Sequence, residues 1–289
     1  MEFSAPATLD EALGLLAGTG DQTGVLAGGT DLIIQHRSGH RDIGHMIDIK
    51  KIPELNVLDF DTKTGLRLGA AVACDDLGAF APAQKHYPGL VEGAELIGST
   101  QIQSRASVGG NVCNGSPAAD TICPLIVLEA VCVVRGKDGE REVAAIDFMT
   151  GPGQTALQQG ELLVEFRIPP PPPRSSDAYL RFIPRNEMDI AVASAAVAIT
   201  LADDGKTCAS AKIAIGAVGP TPILVEEAAA ALEGTELVNA ALEAAGKASS
   251  AAAKPITDMR GTVEYRVHMA GVLTRRAASM ALERIQESD

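Results

Sequence analysis

Five consecutive prolines, Pro169, Pro170, Pro171, Pro172 and Pro173, constrain this chain more than any other feature. Each lacks a backbone N–H and holds φ near one value, so the run cannot lie inside a helix or a central strand. It favours a stiff, extended connector. Cutting there divides the 289 residues into two parts, 1–173 and 174–289, and each is long enough to bury a core of its own. With 46% hydrophobic residues, 3% aromatics and no Trp, those cores must be aliphatic.

The two parts differ in rhythm. In the first, "TLDEALGLLA" reads as a helix with Thr8 as its cap and Glu11 three places on, the pattern of a capping box. "GVLAGGTDLIIQHRSG" reads as strand, glycine turn and helix. "HMIDIK" and "GLRLGAAVA" read as strands, "PGLVEGAELIGS" as a helix, and "AVCVVRGKDGEREVAAIDF" as two strands across a tight turn. "GELLVEFRIP" is a strand closed by Pro169. In the second part "YLRFIP", "IAVASAAVAITLA" and "SAKIAIGAVG" read as successive strands. Val263, Val267, Ala270, Leu273, Ala277, Met280 and Ala281 mark one face of a terminal helix. Strands followed by helices predict a sheet covered on one side.

Charge excludes some partners. Asp plus Glu outnumber Lys plus Arg by 37 to 24, a net charge of −13. Nucleic acid and anionic membrane surfaces need clustered cations. Any phosphate must be held locally, by backbone N–H groups. The N-terminus begins with an acid and lacks the basic-then-apolar order of a signal peptide. The longest largely apolar run, 190–202, is too short to span a bilayer. A cytoplasmic location is expected. Cys74, Cys113, Cys123, Cys132 and Cys208 form no C-x-x-C pair, so zinc and iron–sulfur spacings are absent. His36, His40 and His45 lack a zincin pattern and read as a solvated helix end.

Chemistry enters with two glycine loops. Val25, Leu26, Ala27, Gly28, Gly29, Thr30, Asp31 and Leu32 form the first; Ser107, Val108, Gly109, Gly110 and Asn111 form the second, inside "ASVGGNVCNGSPAAD". Each places Gly-Gly after a β-prone stretch. Such a turn reaches positive φ, lets a ligand lie against the backbone and converges N–H groups on phosphate oxygens. Neither loop is a P-loop or a Rossmann fingerprint. Two loops of one type suit the two phosphates of a pyrophosphate.

These segments resemble the FAD-binding medium subunit of the molybdenum hydroxylases, of the xanthine dehydrogenase and carbon monoxide dehydrogenase type. "AGGTDL" looks like the first FAD motif of that family and "SVGGNVCNGSPAAD" like the second. "YLRFIPRNEMDIAVASAAVAI", "GAVGPTPILVEEAAAALEG" and "DMRGTVEYRVHMAGVLTRRA" are similar to landmarks of its C-terminal flavoprotein domain. Thr30-Asp31 and Asn111 look closer to the xanthine dehydrogenase pattern than to the carbon monoxide one.

The resemblance implies an α+β fold: a bipartite FAD-binding domain of the vanillyl-alcohol oxidase/PCMH type over 1–173, then a smaller α+β domain over 174–289, an antiparallel sheet packed by helices. It implies noncovalent FAD on the two loops, with Asp120 on the adenosine side, Leu162 and Leu163 near the flavin ring, and Arg181 beside the flavin N1 and C2 carbonyl. It implies an oxidoreductase subunit with no catalytic residue or metal of its own. The molybdenum cofactor and [2Fe–2S] clusters would sit on partners: a small iron–sulfur subunit and a large molybdenum subunit, assembled as a dimer of heterotrimers. The alternative is a self-contained FAD oxidase of the vanillyl-alcohol oxidase type. Taken without the resemblance, Asp120 reads equally as the N-cap of the helix that follows it.

Overall fold

The computed structural model describes residues 1–18, 20 and 22–288. The chain opens with β1 (Glu2–Ser4), α1 (Leu9–Gly18), β2 (Thr23–Leu26), α2 (Leu32–Arg37) and β3 (His45–Asp48). These strands form a parallel sheet in the order β1-β3-β2. The capping box is present in shifted form. The Glu11 N–H donates to Thr8 Oγ1 at 3.3 Å, while the Glu11 carboxylate accepts from the N–H of Ala7 at 2.9 Å, one residue before the cap.

A 3₁₀ turn (Pro53–Asn56) leads to β4 (Leu58–Asp61) and β5 (Gly65–Gly69). Six short helices follow: α3 (Cys74–Ala79), α4 (Ala81–His86), α5 (Pro88–Glu95), α6 (Thr100–Gln103), α7 (Val108–Cys113) and α8 (Ile122–Val127). The chain then returns to the sheet through β6 (Val131–Gly136) and β7 (Gly139–Ala144), passes α9 (Ala145–Phe148) and the small hairpin β8 (Met149–Gly151) and β9 (Gln154–Thr155), and closes with β10 (Leu162–Ile168). The result is a five-stranded antiparallel sheet, β4-β5-β10-β6-β7. Residues 169–172 take no regular structure, and the Tyr87 hydroxyl donates to the Pro169 carbonyl at 2.9 Å.

The remainder is β11 (Ser175–Phe182), β12 (Ala193–Leu201), β13 (Cys208–Gly216), β14 (Ile223–Leu224), α10 (Glu226–Ala230), α11 (Asn239–Ala252) and α12 (Val263–Ser288). Its strands form an antiparallel meander. The architecture is α+β throughout.

The expectation of a sheet covered on one side needs correction, because both faces are covered. Strand side chains alternate. Ala193, Ala195, Val197 and Ile199 join the core under the chain's own C-terminal helices. Tyr179, Ala196 and Ala214 join the core of the first part, against α5 and α8. Small residues allow the close approach: a Cβ on Gly216 would stand 2.9 Å from Cys123 Sγ. The terminal helix also carries a charge on its buried face. Arg266, which the apolar spacing passes over, is buried and donates to the carbonyls of Val192 at 2.7 Å and Ala217 at 3.0 Å and to Asp258 at 2.7 Å. Val263, Val267 and Met280 are only half-buried.

Strand β11 is an edge, and unpaired edge groups need cover. Glu92 of α5 accepts from the Tyr179 N–H at 2.8 Å, and Arg284 of α12 donates to the Asp177 carbonyl at 2.7 Å and to Glu92. The Asp177 side chain lies in this seam with no hydrogen-bond partner for either oxygen among the described residues. Burial, reinforced by the Glu92 charge, pushes its carboxyl up to about 7 from 3.8, against the pull of Arg284. The unfolded chain therefore releases a proton between about pH 4 and about pH 7 that the folded chain keeps, so stability falls across that window as pH rises and is level above it. Asp177→Asn mimics the neutral acid and does not titrate. Its melting temperature should match wild type near pH 4 and exceed it by a few degrees at pH 8. Equal differences at both pH values would overturn this.

Candidate cofactor site

The first glycine loop runs from the end of β2 to the start of α2. Gly29 has φ +78°, a left-handed conformation that favours glycine. Gly28 is required for a different reason. A Cβ there would stand 2.3 Å from the Arg105 carbonyl oxygen and 2.8 Å from the Ala106 Cα. Arg105 and Ala106 immediately precede the second loop, so the two loops are in backbone contact.

The second loop differs from expectation. Gly109 and Gly110 are not in a positive-φ turn; they lie in the first turn of α7. Ser107 caps that helix, its Oγ accepting the Gly110 N–H at 3.1 Å. Glycine is needed at 109 because a Cβ would stand 2.4 Å from the Ala70 carbonyl oxygen. At Gly110 a Cβ would meet only Ser107 Oγ, at 3.2 Å. The Cys74 N–H donates to the Ala106 carbonyl at 2.8 Å, and the Asn111 Oδ1 accepts from the Thr121 hydroxyl at 2.7 Å. The loop is thus fixed at both ends.

Between the loops lies a cavity of about 550 Å³. Val25, Ala27, Gly28, Gly29, Thr30, Asp31 and Leu32 wall one side, and Ser107, Gly109, Gly110 and Asn111 the other. Leu162 and Leu163 of β10 close it, beside Leu157 and Glu161. Among the described residues, the N–H groups of Gly28, Gly29, Thr30, Asp31 and Gly109 have no acceptor within the chain. Partial burial raises the Asp31 carboxyl above its ordinary value. Leu26 and Val108 are outside the wall: both are buried in apolar clusters. Cys113 does reach the cavity. Of the three histidines expected at a solvated helix end, His45 is instead buried, in hydrogen-bond contact with Ser4 Oγ at 2.9 Å.

Asp120 and Arg181 require a correction. The resemblance implies opposite ends of a dinucleotide for them, yet they form one ion pair of 2.7 Å, with side chains 9% and 4% exposed. A single ion pair cannot stand at both ends of an extended cofactor. Asp120 is also not a helix cap, since its carboxylate accepts from the Tyr179 hydroxyl at 3.0 Å and from Arg181. Burial pushes this carboxyl up to about 6 despite both donors. Arg181 lines a second hollow with Asp75, Glu95, Asn186 and Glu187, and its Nε has no acceptor among the described residues. The two hollows adjoin along one segment: Ile97 lines the first, Leu96 and Gly98 the second.

Comparison with known families decides what this arrangement belongs to. Residues 1–171 match the family described as FAD binding domain in molybdopterin dehydrogenase, and residues 178–281 match the CO dehydrogenase flavoprotein C-terminal domain. The chain belongs to the flavoprotein subunits of the molybdopterin dehydrogenases. Such a subunit from Escherichia coli O157:H7, the xanthine dehydrogenase FAD-binding subunit, is 32% identical over 97% of this chain and 95% of its own length. The carbon monoxide dehydrogenase medium chain of Afipia carboxidovorans is 34% identical over 98% of this chain and 97% of its own. A chain of the reconstituted CO dehydrogenase from Oligotropha carboxidovorans superposes with a TM-score of 0.93 at 34% identity, covering 98% of each chain. This flavoprotein subunit is therefore similar to both enzyme types to nearly the same degree. None of its described helices is long and apolar enough to cross a membrane.

Proposed function

We propose that this chain is the FAD-binding electron-transfer subunit of a cytoplasmic, multi-subunit molybdenum hydroxylase. One observation carries the reading: Gly28 rests on the backbone of Arg105 and Ala106, so both glycine loops face one cavity. The cavity volume falls in the range for cofactor sites, about 300–1,000 Å³. Its walls bare backbone where side chains would otherwise stand, which fits a diphosphate. The fold reading goes further than α+β: a bipartite FAD-binding domain of the vanillyl-alcohol oxidase/PCMH type over 1–173 and a flavoprotein domain over 174–289.

Bound FAD supplies a ring that accepts electrons singly and releases one or two. The residues of this chain bind and orient it. The N–H groups of Gly28 to Asp31 and of Gly109 take the diphosphate. Arg181, which lines the adjoining hollow, suits the electron-rich N1 and C2 carbonyl edge of the ring. Adenine needs no cation, so the adenosine half lies along Leu162 and Leu163. This exchanges the ends first given to Asp120 and to the β10 leucines. Asp120 then belongs at the flavin end, holding Arg181.

The partners are a small subunit with [2Fe–2S] clusters and a large subunit with the molybdenum cofactor, in a dimer of heterotrimers. Co-purification of the tagged chain with its neighbours, followed by flavin, iron and molybdenum analysis, tests this. The expected result is one FAD per copy of this chain, iron and molybdenum only in the complex, and no turnover by the isolated chain. Substrate oxidation by the isolated flavoprotein would establish the self-contained oxidase instead. An isolated chain that takes up no FAD would sink both readings.

A further inference from the structure

Lys50 joins the two surfaces on which the glycine loops rest. It follows β3, and its backbone is pinned: its N–H donates to Asp48 Oδ1 at 2.9 Å, and its carbonyl accepts from Asn56 Nδ2 at 2.9 Å. The half-buried ammonium donates to the carbonyls of Ala71 at 2.7 Å and Arg105 at 3.2 Å. The Arg105 carbonyl is the oxygen that Gly28 lies against. Ala71 follows Ala70, whose backbone Gly109 lies against. One side chain therefore bonds the seat of each loop.

The groups that face it are mixed: Arg105 opposes its charge, while Asp76, Cys74 and Asp48 favour it. Among the described residues Lys50 forms no ion pair, and both of its acceptors are neutral carbonyls. A half-buried cation is screened less than a surface one, and here it adds to Arg41, which lines the cavity, and to the neutral N–H groups of the loops.

We propose that Lys50 is a positioning residue for the FAD diphosphate, locking the two glycine loops at a fixed spacing and placing a positive charge at their junction. The inference rests on the reading of this cavity as an FAD site. It adds a residue that lies outside the cavity wall and acts through the Ala71 and Arg105 carbonyls. Burial and the neighbouring Arg105 lower the Lys50 pKa, so the lock should loosen with alkali before an ordinary lysine would titrate, near 10.4.

The test is FAD titration of the full-length apo chain, followed by quenching of flavin fluorescence, for wild type, Lys50→Met and Lys50→Arg across a pH series. Lys50→Met keeps the aliphatic stem and loses charge and donors. Its FAD dissociation constant should rise roughly 10- to 100-fold at neutral pH, the loss expected for charged hydrogen bonds. Lys50→Arg should stay within a few-fold of wild type. Wild-type affinity should fall on the alkaline side, while Lys50→Arg stays level there. A Lys50→Met chain that binds FAD as wild type does overturns the proposal. So does an alkaline decline shared by Lys50→Arg, a comparison that stands even if Lys50→Met fails to fold. Absence of FAD binding by wild type removes the flavoprotein reading together with this one.

Discussion

Gly28→Val should leave the purified chain without flavin. The new Cβ would stand 2.3 Å from the Arg105 carbonyl oxygen and 2.8 Å from the Ala106 Cα. Both are backbone atoms, so no rotamer change relieves the contact, and the loops must part. Overpacking of this kind costs typically 1–3 kcal/mol, about 2–4 °C of melting temperature for each kcal/mol in a chain of this order of size. The variant should fold, with a reduced melting temperature and an absorbance near 450 nm close to zero. Gly110→Val isolates the ligand from the fold. Its Cβ meets only Ser107 Oγ, at 3.2 Å, and its side chain would stand in the cavity. Flavin should be lost there with the melting temperature little changed. Gly109→Val is the less informative variant, because its Cβ would meet the Ala70 backbone at 2.4 Å and disturb the core. Wild-type flavin content in both the Gly28 and Gly110 variants would refute the shared cavity.

The sequence signals that proved readable are local ones. Gly-Gly after a β-prone stretch marked both loops, and the apolar run 190–202 marked the strand that became β12. What those faces touch was not readable. Ala193, Ala195 and Val197 look no different in sequence from Ala196 and Ala198, yet one set packs under α12 and the other against α8. Gly109 looked like a conformational glycine, but its reason is a neighbour, Ala70, whose approach no local pattern encodes. The same holds for the polar contacts. Lys50 reaches Arg105 across 55 positions and Arg181 reaches Asp120 across 61. Arg266 stayed hidden because a charged residue breaks an apolar stripe on paper, whereas here backbone carbonyls and Asp258 satisfy it inside the fold. The cavity-facing glycines were therefore legible in the sequence, and the residues that hold them at their spacing were not.

Arg181→Met should be the most destabilising of the single changes. Removing one partner of a buried ion pair leaves the other uncompensated, at about 3–5 kcal/mol. Asp120 keeps only the Tyr179 hydroxyl, and burial already pushes its carboxyl up to about 6 with Arg181 in place. At Asp120, burial thus opposes the attraction of Arg181. The double change Asp120→Asn with Arg181→Met removes both charges and keeps an acceptor for Tyr179. It should recover most of the lost melting temperature, because replacing a whole buried pair by neutral groups is often neutral. It should not recover the flavin. A cation beside N1 and the C2 carbonyl stabilises the reduced ring, and a charged hydrogen bond worth about 1.5–3 kcal/mol corresponds to about 30–60 mV for two electrons. The midpoint potential of residual bound FAD should fall by that amount in both the single and the double variant. A double variant with wild-type potential would mean that the pair serves the fold alone, and would move the flavin ring away from Arg181.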